Sequence, residues 1–297
     1  MKLRRKKHGL QESGIPYVLP ALLVVASVML FPLLYNIVLS FFKKTIYDMN
    51  WSFVGLAQYK KLLTSDIFLN ALKNTVIWTV VSVFFQFLIG FICALVISQD
   101  RIRFRGIWRC LIMLAWVLPS VIGSMVWKWM YHSDFGILNE ILLRLGLIKQ
   151  ALAWTGSKQL ALTSAIIVNV WKLFPLVLTY IEAALQSVPR SLEDAAVVDG
   201  ANTWRCFTVV TWPHIRPTCI TVILLLTIWT LNAFTFIYVL TGGGPGTASQ
   251  VLSMFINKEA FQNYNFGVAS AASTILFVIV AAFSTIYIRS TMGGGDE

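Results

Sequence analysis

Charged residues are scarce in this chain of 297 residues. Asp, Glu, Lys and Arg make up 12% of it, against about 25% in a soluble domain, while 57% of the residues are hydrophobic and the mean hydropathy is +0.73. The shortage of charge excludes an ordinary soluble domain and indicates several membrane spans. The net charge of +11 is then typical of basic cytoplasmic loops. Because no basic stripe lies on a soluble domain, nucleic acid is not predicted as a partner.

Catalytic and metal-binding patterns are missing as well. The four cysteines (Cys93, Cys110, Cys206 and Cys219) form no CxxC pair, and the three histidines lie far apart, which argues against a disulfide framework and a metal site. No HExxH pair or Ser-His-Asp set emerges, so we expect no catalytic residues, no enzymatic activity and no cofactor bound by this chain. The stretch TGGGPG (241–246) lacks the Lys-Ser/Thr pair of a phosphate-binding loop and predicts a tight turn.

Long apolar runs dominate what is there. A helix needs about 20 apolar residues to cross a bilayer core of about 30 Å. Helices are favoured because lipid offers no hydrogen-bond partners to the backbone. Six runs are long enough, at 16–42, 71–98, 107–130, 161–186, 218–240 and 267–288. Pro32, Pro119 and Pro175 lie inside these spans and predict kinks.

Lysine and arginine predict the orientation of the spans. Five such residues lie in the N-terminal tail and four in 99–110, on the same side of the membrane, so this side is predicted to be the cytoplasm. The chain is then a multi-pass protein of the bacterial cytoplasmic (inner) membrane with both termini in the cytoplasm. The predicted organisation is a basic tail (1–15), a six-span transmembrane domain (16–288) with a cytoplasmic segment (187–217), a second tail (289–297), and outer segments at 43–69, 131–160 and 241–266.

The segment between spans four and five carries three acids, a central glycine and a terminal proline. Ser191 followed by Asp194 resembles a capping box and predicts the start of a helix. Gly200 is placed for a left-handed cap at the end of that helix. A second short helix is predicted to begin near Asn202 and to end at Pro213. These residues alone leave two interpretations open, a helix pair lying on the membrane surface and a docking element for a soluble partner.

The stretch DAAVVDGANTWRCFTVVTWP (194–213) resembles the cytoplasmic signature of bacterial ABC importer permeases. That signature reads Glu-Ala-Ala, three residues, Gly, then an apolar residue and Leu-Pro; here Asp194 replaces the Glu and Trp212 the Leu. In that family the segment docks into a cleft of the ATP-binding subunit. The resemblance therefore implies a coupling role for Asp194, Ala195, Ala196, Asp199, Gly200, Ala201, Trp204, Phe207 and Pro213.

Four further stretches resemble the maltose-type sugar permeases: FVGLAQYKKLL (53–63), ALKNTVIWTV (71–80), WKWMYHSDFGILNEILLRLGL (127–147) and VLTGGGPGTAS (239–249). The resemblance implies an all-α transmembrane fold with a six-helix core and a cytoplasmic helix–Gly–helix coupling segment. It also implies a heterodimer with a second permease subunit and ATP-binding cassette subunits that hold ATP and Mg. An extracytoplasmic solute-binding protein is expected to contact the outer region around 241–246.

Polar residues inside the spans are candidates for a substrate path. Lys172 lies about eleven residues into span four, near Asn169, and a charge at that depth is expected to face protein or water. It either lines the path or is a structural cation paired with a neighbouring helix. Sugars need hydrogen-bond partners and flat apolar faces. The candidates are Trp116, Asn169, Lys172, Trp229, Asn232 and Thr235, although a membrane tryptophan also serves in packing or as an interface anchor.

The function predicted from these features is that of a permease subunit of an ATP-driven importer, which moves a sugar or sugar derivative by alternating access. One alternative is the same fold importing glycerol phosphate or another small solute, for which Lys172 and Lys128 would matter more. Another is a secondary carrier without an ATPase, which predicts ion-coupling acids and often inverted repeats. Glu182 is the only acid clearly within a span, so the carrier is disfavoured.

Overall fold

The computed structural model describes residues 15–47, 50–99 and 102–292, and most of these are helical. Among these residues five helices are long and apolar enough to cross a membrane, and there are six spans if two helices joined at a sharp bend are counted as one. The all-α transmembrane fold is therefore as predicted. Residues 1–14 of the predicted basic tail and residues 293–297 of the second tail lie outside the described residues.

Span one consists of helix α1 (Ile15–Val25), a π-helical turn (Ala26–Leu30) and helix α2 (Phe31–Leu39). Pro32, where a kink was predicted, lies two residues after the π-helical turn. A short antiparallel hairpin, β1 (Phe42–Lys43) with β2 (Ser52–Phe53), and helix α3 (Ala57–Leu63) follow. Span two is helix α4 (Asp66–Ile97), which begins five residues earlier than predicted because Ser65 caps it through Phe68 N.

Span three is not one helix. Helix α5 (Arg105–Val117) and helix α6 (Ser120–Met130) are bent by 95° at Leu118 and Pro119. A kink at Pro119 was predicted, because proline has no N–H and its ring displaces the preceding turn. The observed change of direction is a break rather than a kink, so the prediction of a single helix over 107–130 is wrong. Helix α7 (Ile137–Arg144) lies in the following loop.

Span four, helix α8 (Ala161–Gln186), is the central helix of the bundle and has the predicted bounds. Pro175 lies inside it without interrupting it. Spans two and four touch at Gly90, where a Cβ atom would lie 2.5 Å from the Cβ of Val177 and from the carbonyl oxygen of Phe174. Small residues allow such close approach between membrane helices.

The segment after span four forms helix α9 (Arg190–Val198), and a second helix runs without a break into span five. This second helix comprises α10 (Thr203–Cys206), a π-helical turn (Phe207–Thr211) and α11 (Trp212–Leu231). The prediction that a separate short helix ends at Pro213 is therefore wrong. A π-helical turn ends two residues before Pro213, as another does before Pro32, and its wider hydrogen-bond spacing lets the helix continue past a proline that has no N–H.

Span five ends at Leu231, not near residue 240. A break at residues 232–234 separates it from helix α12 (Thr235–Leu240). Helix α13 (Leu252–Phe261) follows the glycine-rich turn, and span six is helix α14 (Phe266–Met292), which extends past the predicted end at 288.

The bundle has two distinct ends. The Gly200 end carries α9, α10 and the loop between α4 and α5. The Gly243 end carries the hairpin, α3, α7, α12, α13 and the glycine-rich turn. There the segment 43–69 contacts the segment 241–266 and the first turn of span six, since Ile46 N donates to Tyr264 O and Gly267 N donates to Lys44 O. The predicted outer segments thus lie together at one end.

Candidate functional site

Helix α9 starts one residue before the predicted cap. Pro189 occupies the N-cap position, and Ser191 lies inside the first turn without capping it, so the predicted capping box of Ser191 and Asp194 is wrong. The physical reason is that Pro189, with φ −65° and ψ 123°, is already set to precede a helix, which then begins at Arg190.

Gly200 ends helix α9 in the predicted left-handed conformation, with φ +82°. Gly200 N donates to Val197 O at 3.0 Å and Ala201 N donates to Ala196 O at 2.9 Å, which together close a Schellman-type cap. Asn202 then caps the second helix, because its side-chain oxygen accepts from Arg205 N at 2.8 Å. One helix therefore ends at Gly200 and another begins after Asn202, as the sequence predicted, while the predicted cap at Ser191 and the predicted end at Pro213 are wrong.

The coupling segment (residues 187–217) presents apolar side chains to its surroundings. No residue of α9 or α10 is buried, and Trp204 is 73% exposed. The ring of Trp204 stacks on Phe207 at a centroid distance of 6.0 Å, and Phe207 contacts Trp212. Trp212 in turn contacts Phe91 of span two. A chain of aromatic rings thus connects the exposed tip of the coupling segment to the packed bundle.

A charged cavity of about 520 Å³ lies between the coupling segment and spans two, three and four. Arginines from three positions face acids from three others, namely Arg105, Arg109 and Arg190 against Glu182, Glu193 and Asp194. Arg109 donates to Glu182, and Glu193 accepts from Thr211 Oγ1 at 3.3 Å. Glu182, the acid inside span four, is therefore paired, and the cavity joins α9 to the first half of span three.

A second cavity, of about 260 Å³, lies in the middle of the bundle between spans three, four and five. Five of the six predicted path residues line it: Asn169, Lys172, Trp229, Asn232 and Thr235. The break after span five is what brings Asn232 and Thr235 there. Ser120, Leu173, Phe234 and Phe236 also line the cavity, and sequence reasoning missed them. Ser120 follows the break in span three, and Phe234 and Phe236 follow the end of span five. Neither break was predicted.

Asn169 is fully buried, and neither polar atom of its side chain has a hydrogen-bond partner among the residues that the structure describes. A buried amide without partners is unfavourable by about 1–3 kcal/mol. Its backbone oxygen accepts from Gln86 Nε2 at 3.2 Å, which holds this part of span four against span two. Asn169 therefore contributes to the cavity lining a residue whose amide is buried and has no partner among the described residues.

Lys172 is 6% exposed and points towards the break in span three. Its Nζ donates to Ala115 O at 3.1 Å, to Trp116 O at 2.6 Å and to Leu118 O. These carbonyls end helix α5, where a cation is favoured by the helix dipole. Of the two interpretations of Lys172, the structural cation matches these contacts, although the side chain also borders the cavity. Trp116, the sixth predicted residue, does not line the cavity and contacts Lys172 only through its backbone oxygen.

The glycine-rich turn at 241–246 is a tight turn, with φ values of +60°, +84° and +63° at Gly242, Gly243 and Gly246. Two asparagines of span two hold the segment after it. Asn70 Nδ2 donates to Thr247 O at 2.8 Å, and Asn74 Nδ2 lies within 3.2 Å of the carbonyl oxygens of Thr247, Ala248 and Gln250. The sequence signal for this contact is the pair of asparagines four residues apart, at 70 and 74, because this spacing places two amide side chains on one face of a helix.

Neighbouring side chains at the same end are also fixed. Burial raises the pKa of the Tyr131 phenol, which donates to Ser164 O at 3.1 Å and stacks on Trp154. Among the described residues, no group of three or more His, Cys, Asp or Glu side chains could hold a metal ion.

Residues 86–290 match the family described as binding-protein-dependent transport system inner membrane component. The trehalose/maltose transport system permease protein MalF of Thermococcus litoralis is 33% identical over 95% of both chains. The sulfoquinovosyl glycerol transport system permease protein SmoG of Agrobacterium fabrum is 29% identical, over 91% of this chain and 87% of its own. The fold is similar to a chain in the crystal structure of a bacterial ABC transporter involved in the import of alginate, an acidic polysaccharide, with a TM-score of 0.82, 22% identity and 95% of each chain covered.

Proposed function

Because this chain belongs to the family of binding-protein-dependent transport system inner membrane components, we propose that it carries a sugar or sugar derivative across the membrane for an ATP-driven importer. One observation carries the proposal. Amide, hydroxyl and aromatic side chains of spans three to five surround one cavity in the middle of the bundle. These are the groups that bind the hydroxyls and the apolar ring faces of a sugar.

The named relatives support a carbohydrate as solute. The names of two of them refer to trehalose/maltose and to sulfoquinovosyl glycerol. In this chain Trp229 offers a flat apolar face, while Asn169, Asn232 and Thr235 offer donors and acceptors around the same space. A sugar bound there would give the buried amide of Asn169 the hydrogen-bond partners that it lacks.

The charge of the cavity favours an uncharged solute over glycerol phosphate. Lys172 is the only charged side chain among the described residues that line it. An ammonium group has three N–H donors, and here three backbone carbonyls accept from it. Lys128, the other lysine of interest, donates to Val239 O at 3.0 Å and lies outside the cavity. Neither lysine is thus placed to bind a phosphate in the cavity.

The coupling segment is the proposed docking element for the ATP-binding subunit, with ATP and Mg held by that partner. The exposed side chain of Trp204 and the exposed apolar side chains of α9 support insertion of the segment into a groove. Asp194 and Asp199, which are also exposed, add negative charge to the same segment. The residues proposed to dock or to shape the docking surface are Asp194, Ala195, Ala196, Asp199, Gly200, Ala201, Trp204, Phe207 and Pro213.

The uninterrupted helix Thr203–Leu231 suggests how docking acts on the solute. At 1.5 Å per residue this helix is about 43 Å long, and it runs from the docking surface to Trp229 in the cavity. Closure of the ATPase subunits on ATP would move one end of this rod. The cavity would then open to the opposite side of the membrane, which is alternating access. A movement of this kind requires an element that both sites bias, and the rod touches both.

Two further partners are proposed from exposed surfaces. Span one is only 6% buried within the chain and packs mainly on span six, so its apolar surface is suited to a second permease subunit as well as to lipid. The ordered turn after span five, fixed by Asn70 and Asn74, is suited to contact with a solute-binding protein. The Gly200 end is then proposed to be cytoplasmic, as are both chain termini, and the Gly243 end is proposed to face outwards.

Co-purification with a candidate ATP-binding subunit tests the proposal, with the wild-type chain compared with Gly200→Asp. The substitution strains the left-handed cap and adds a charge to the docking surface. Gly146→Asp is the matched control, since Gly146 has φ +67° and, like Gly200, has no atom within 4 Å of an added Cβ, yet lies at the Gly243 end. We expect the wild type and Gly146→Asp to retain the ATPase and Gly200→Asp to lose it.

The other outcomes separate the parts of the proposal. If the wild type retains no ATP-binding subunit from any adjacent reading frame, the importer is contradicted and a secondary carrier becomes the better hypothesis. If Gly200→Asp and Gly146→Asp retain the ATPase equally, the importer stands but the docking surface is elsewhere.

A further inference from the structure

We propose that Lys172 is a positioning residue, which replaces the backbone N–H that Pro119 lacks and so sets the break in span three. It is then not a ligand of the solute. This role depends only on the contacts at the break, and its consequence for transport rests on the proposed function.

The break leaves specific backbone groups without helical partners. In an uninterrupted helix, Ala115 O would accept from the N–H of residue 119, but this residue is proline. Leu118 and Pro119 have ψ values of 135°, so the chain leaves the helical conformation at this point. Lipid offers no replacement donor, and carbonyl groups at membrane depth must be satisfied by protein.

Lys172 supplies the missing donors from span four. Its Nζ reaches Ala115 O, the carbonyl that Pro119 leaves without a donor, as well as Trp116 O and Leu118 O. Three N–H groups meet three carbonyl acceptors, so the hydrogen-bonding capacity of the ammonium group is filled. The negative end of the α5 dipole compensates part of its charge, which explains how a lysine with 6% exposure persists at this depth.

The same contacts define one wall of the cavity. Ser120 is the first residue of α6, immediately after the break, and it lines the cavity with Asn169 and Lys172. Asn169 and Lys172 lie three residues apart on span four, on one face of the helix. By holding the end of α5, Lys172 sets where Ser120 stands relative to the amide of Asn169. Loss of Lys172 would therefore change the shape of the cavity and not only its charge.

A double-mutant cycle on the full chain in detergent tests this relationship without any solute. Pro119→Ala returns a backbone N–H to the position from which Ala115 O can accept. We expect Lys172→Met to lower Tm by several degrees in the wild-type background and by less than half as much in the Pro119→Ala background. Lys172→Arg, which keeps a cationic donor, should retain most of the Tm. Lys128→Met is the matched control, because Lys128 also donates to a carbonyl, Val239 O, and should lose the same Tm in both backgrounds.

A distance measurement tests the positioning directly. Ile107 and Val126 are exposed on the two halves of span three and can carry spin labels in a cysteine-free chain. From the helical rise their Cα atoms are about 19 Å apart with the 95° bend and about 28 Å apart in a straight helix. We expect a narrow distribution for the wild type and for Lys172→Arg, and a broadened or displaced one for Lys172→Met.

The proposal is overturned if Lys172→Met leaves this distance unchanged and its Tm loss is the same in both backgrounds. Loss of solute binding in such a variant would identify Lys172 as a ligand. Conversely, if the cycle shows coupling but no neutral sugar is transported by the assembled importer, the positioning role stands and the proposed solute is wrong.

Discussion

Arg109 donates to the carboxylate of Glu182 and so joins the first half of span three to the Gly200 end of span four. The two partners differ in burial, since the side chain of Glu182 is 7% exposed and that of Arg109 is 37% exposed. Both side chains line the charged cavity beside the coupling segment, but Glu182 is the more buried of the two and Arg109 is the partner that compensates its charge.

This asymmetry predicts unequal effects of removing the two partners. Removing one member of a fully buried pair costs roughly 3–5 kcal/mol, and the exposure of Arg109 reduces the figure here. We expect Arg109→Met to lower the free energy of unfolding by about 2 kcal/mol and Glu182→Gln by about 1 kcal/mol. Thermal unfolding in detergent measures both, with the double variant losing less than the sum. Equal and additive losses would show that the pair does not stabilise the chain.

The contact of Gly90 with span four predicts that this glycine cannot be enlarged. A Cβ atom would lie 2.5 Å from the Val177 Cβ and 2.5 Å from the carbonyl oxygen of Phe174, and neither atom is the far end of a flexible side chain that could move aside. We expect Gly90→Ala to destabilise the chain by about 1–3 kcal/mol through overpacking. Gly106→Ala in helix α5 is the control, because no atom lies within 4 Å of its added Cβ, and it should be neutral or stabilising by about 0.5–1 kcal/mol. A Gly90→Ala variant as stable as Gly106→Ala would contradict this packing of spans two and four.

Substitution of Asn169 should impair transport without lowering the stability of the chain. Because its amide has no partner in the described part of the chain, Asn169→Leu should leave Tm unchanged or raise it, while the KM for a transported neutral sugar rises about tenfold, equivalent to about 1.4 kcal/mol. Thr79→Val is the control, since the Thr79 hydroxyl is also buried and unpartnered but does not line the cavity. Uptake by the assembled importer is the measurement. The same KM in both variants would place the solute elsewhere.

Trp204 should contribute to docking but not to folding. It is 73% exposed and contacts Phe207 at the tip of the coupling segment, where a buried aromatic anchor in an interface is worth about 2 kcal/mol or more. We expect Trp204→Ala to weaken binding of the ATP-binding subunit about thirtyfold, with Tm unchanged. Trp129→Ala, equally exposed at the Gly243 end, should have no effect on that affinity. A large loss of Tm in Trp204→Ala would mean that the ring packs against this chain instead.

Local features were predictable to a useful degree. The bounds of span four and the left-handed cap at Gly200 follow from residues close together in sequence. The errors were also local in origin. Ser191 matches the pattern of a helix cap, but Pro189 already precedes the helix start. Pro213 matches the pattern of a helix end, because a preceding π-helical turn has no clear sequence signature.

Composition and the order of apolar and polar segments determined, by themselves, that this is a helical membrane protein with about six crossings, since a bilayer requires long apolar helices. They also marked Lys172, Asn169 and Asn232 as unusual for their depth. Only the tertiary structure decided what these residues contact. Each residue along a helix turns by about 100°, so the direction of a side chain depends on how the helices pack and where they break. Two breaks, at Pro119 and after Leu231, bring the cavity residues together and place Lys172 on the carbonyls of helix α5.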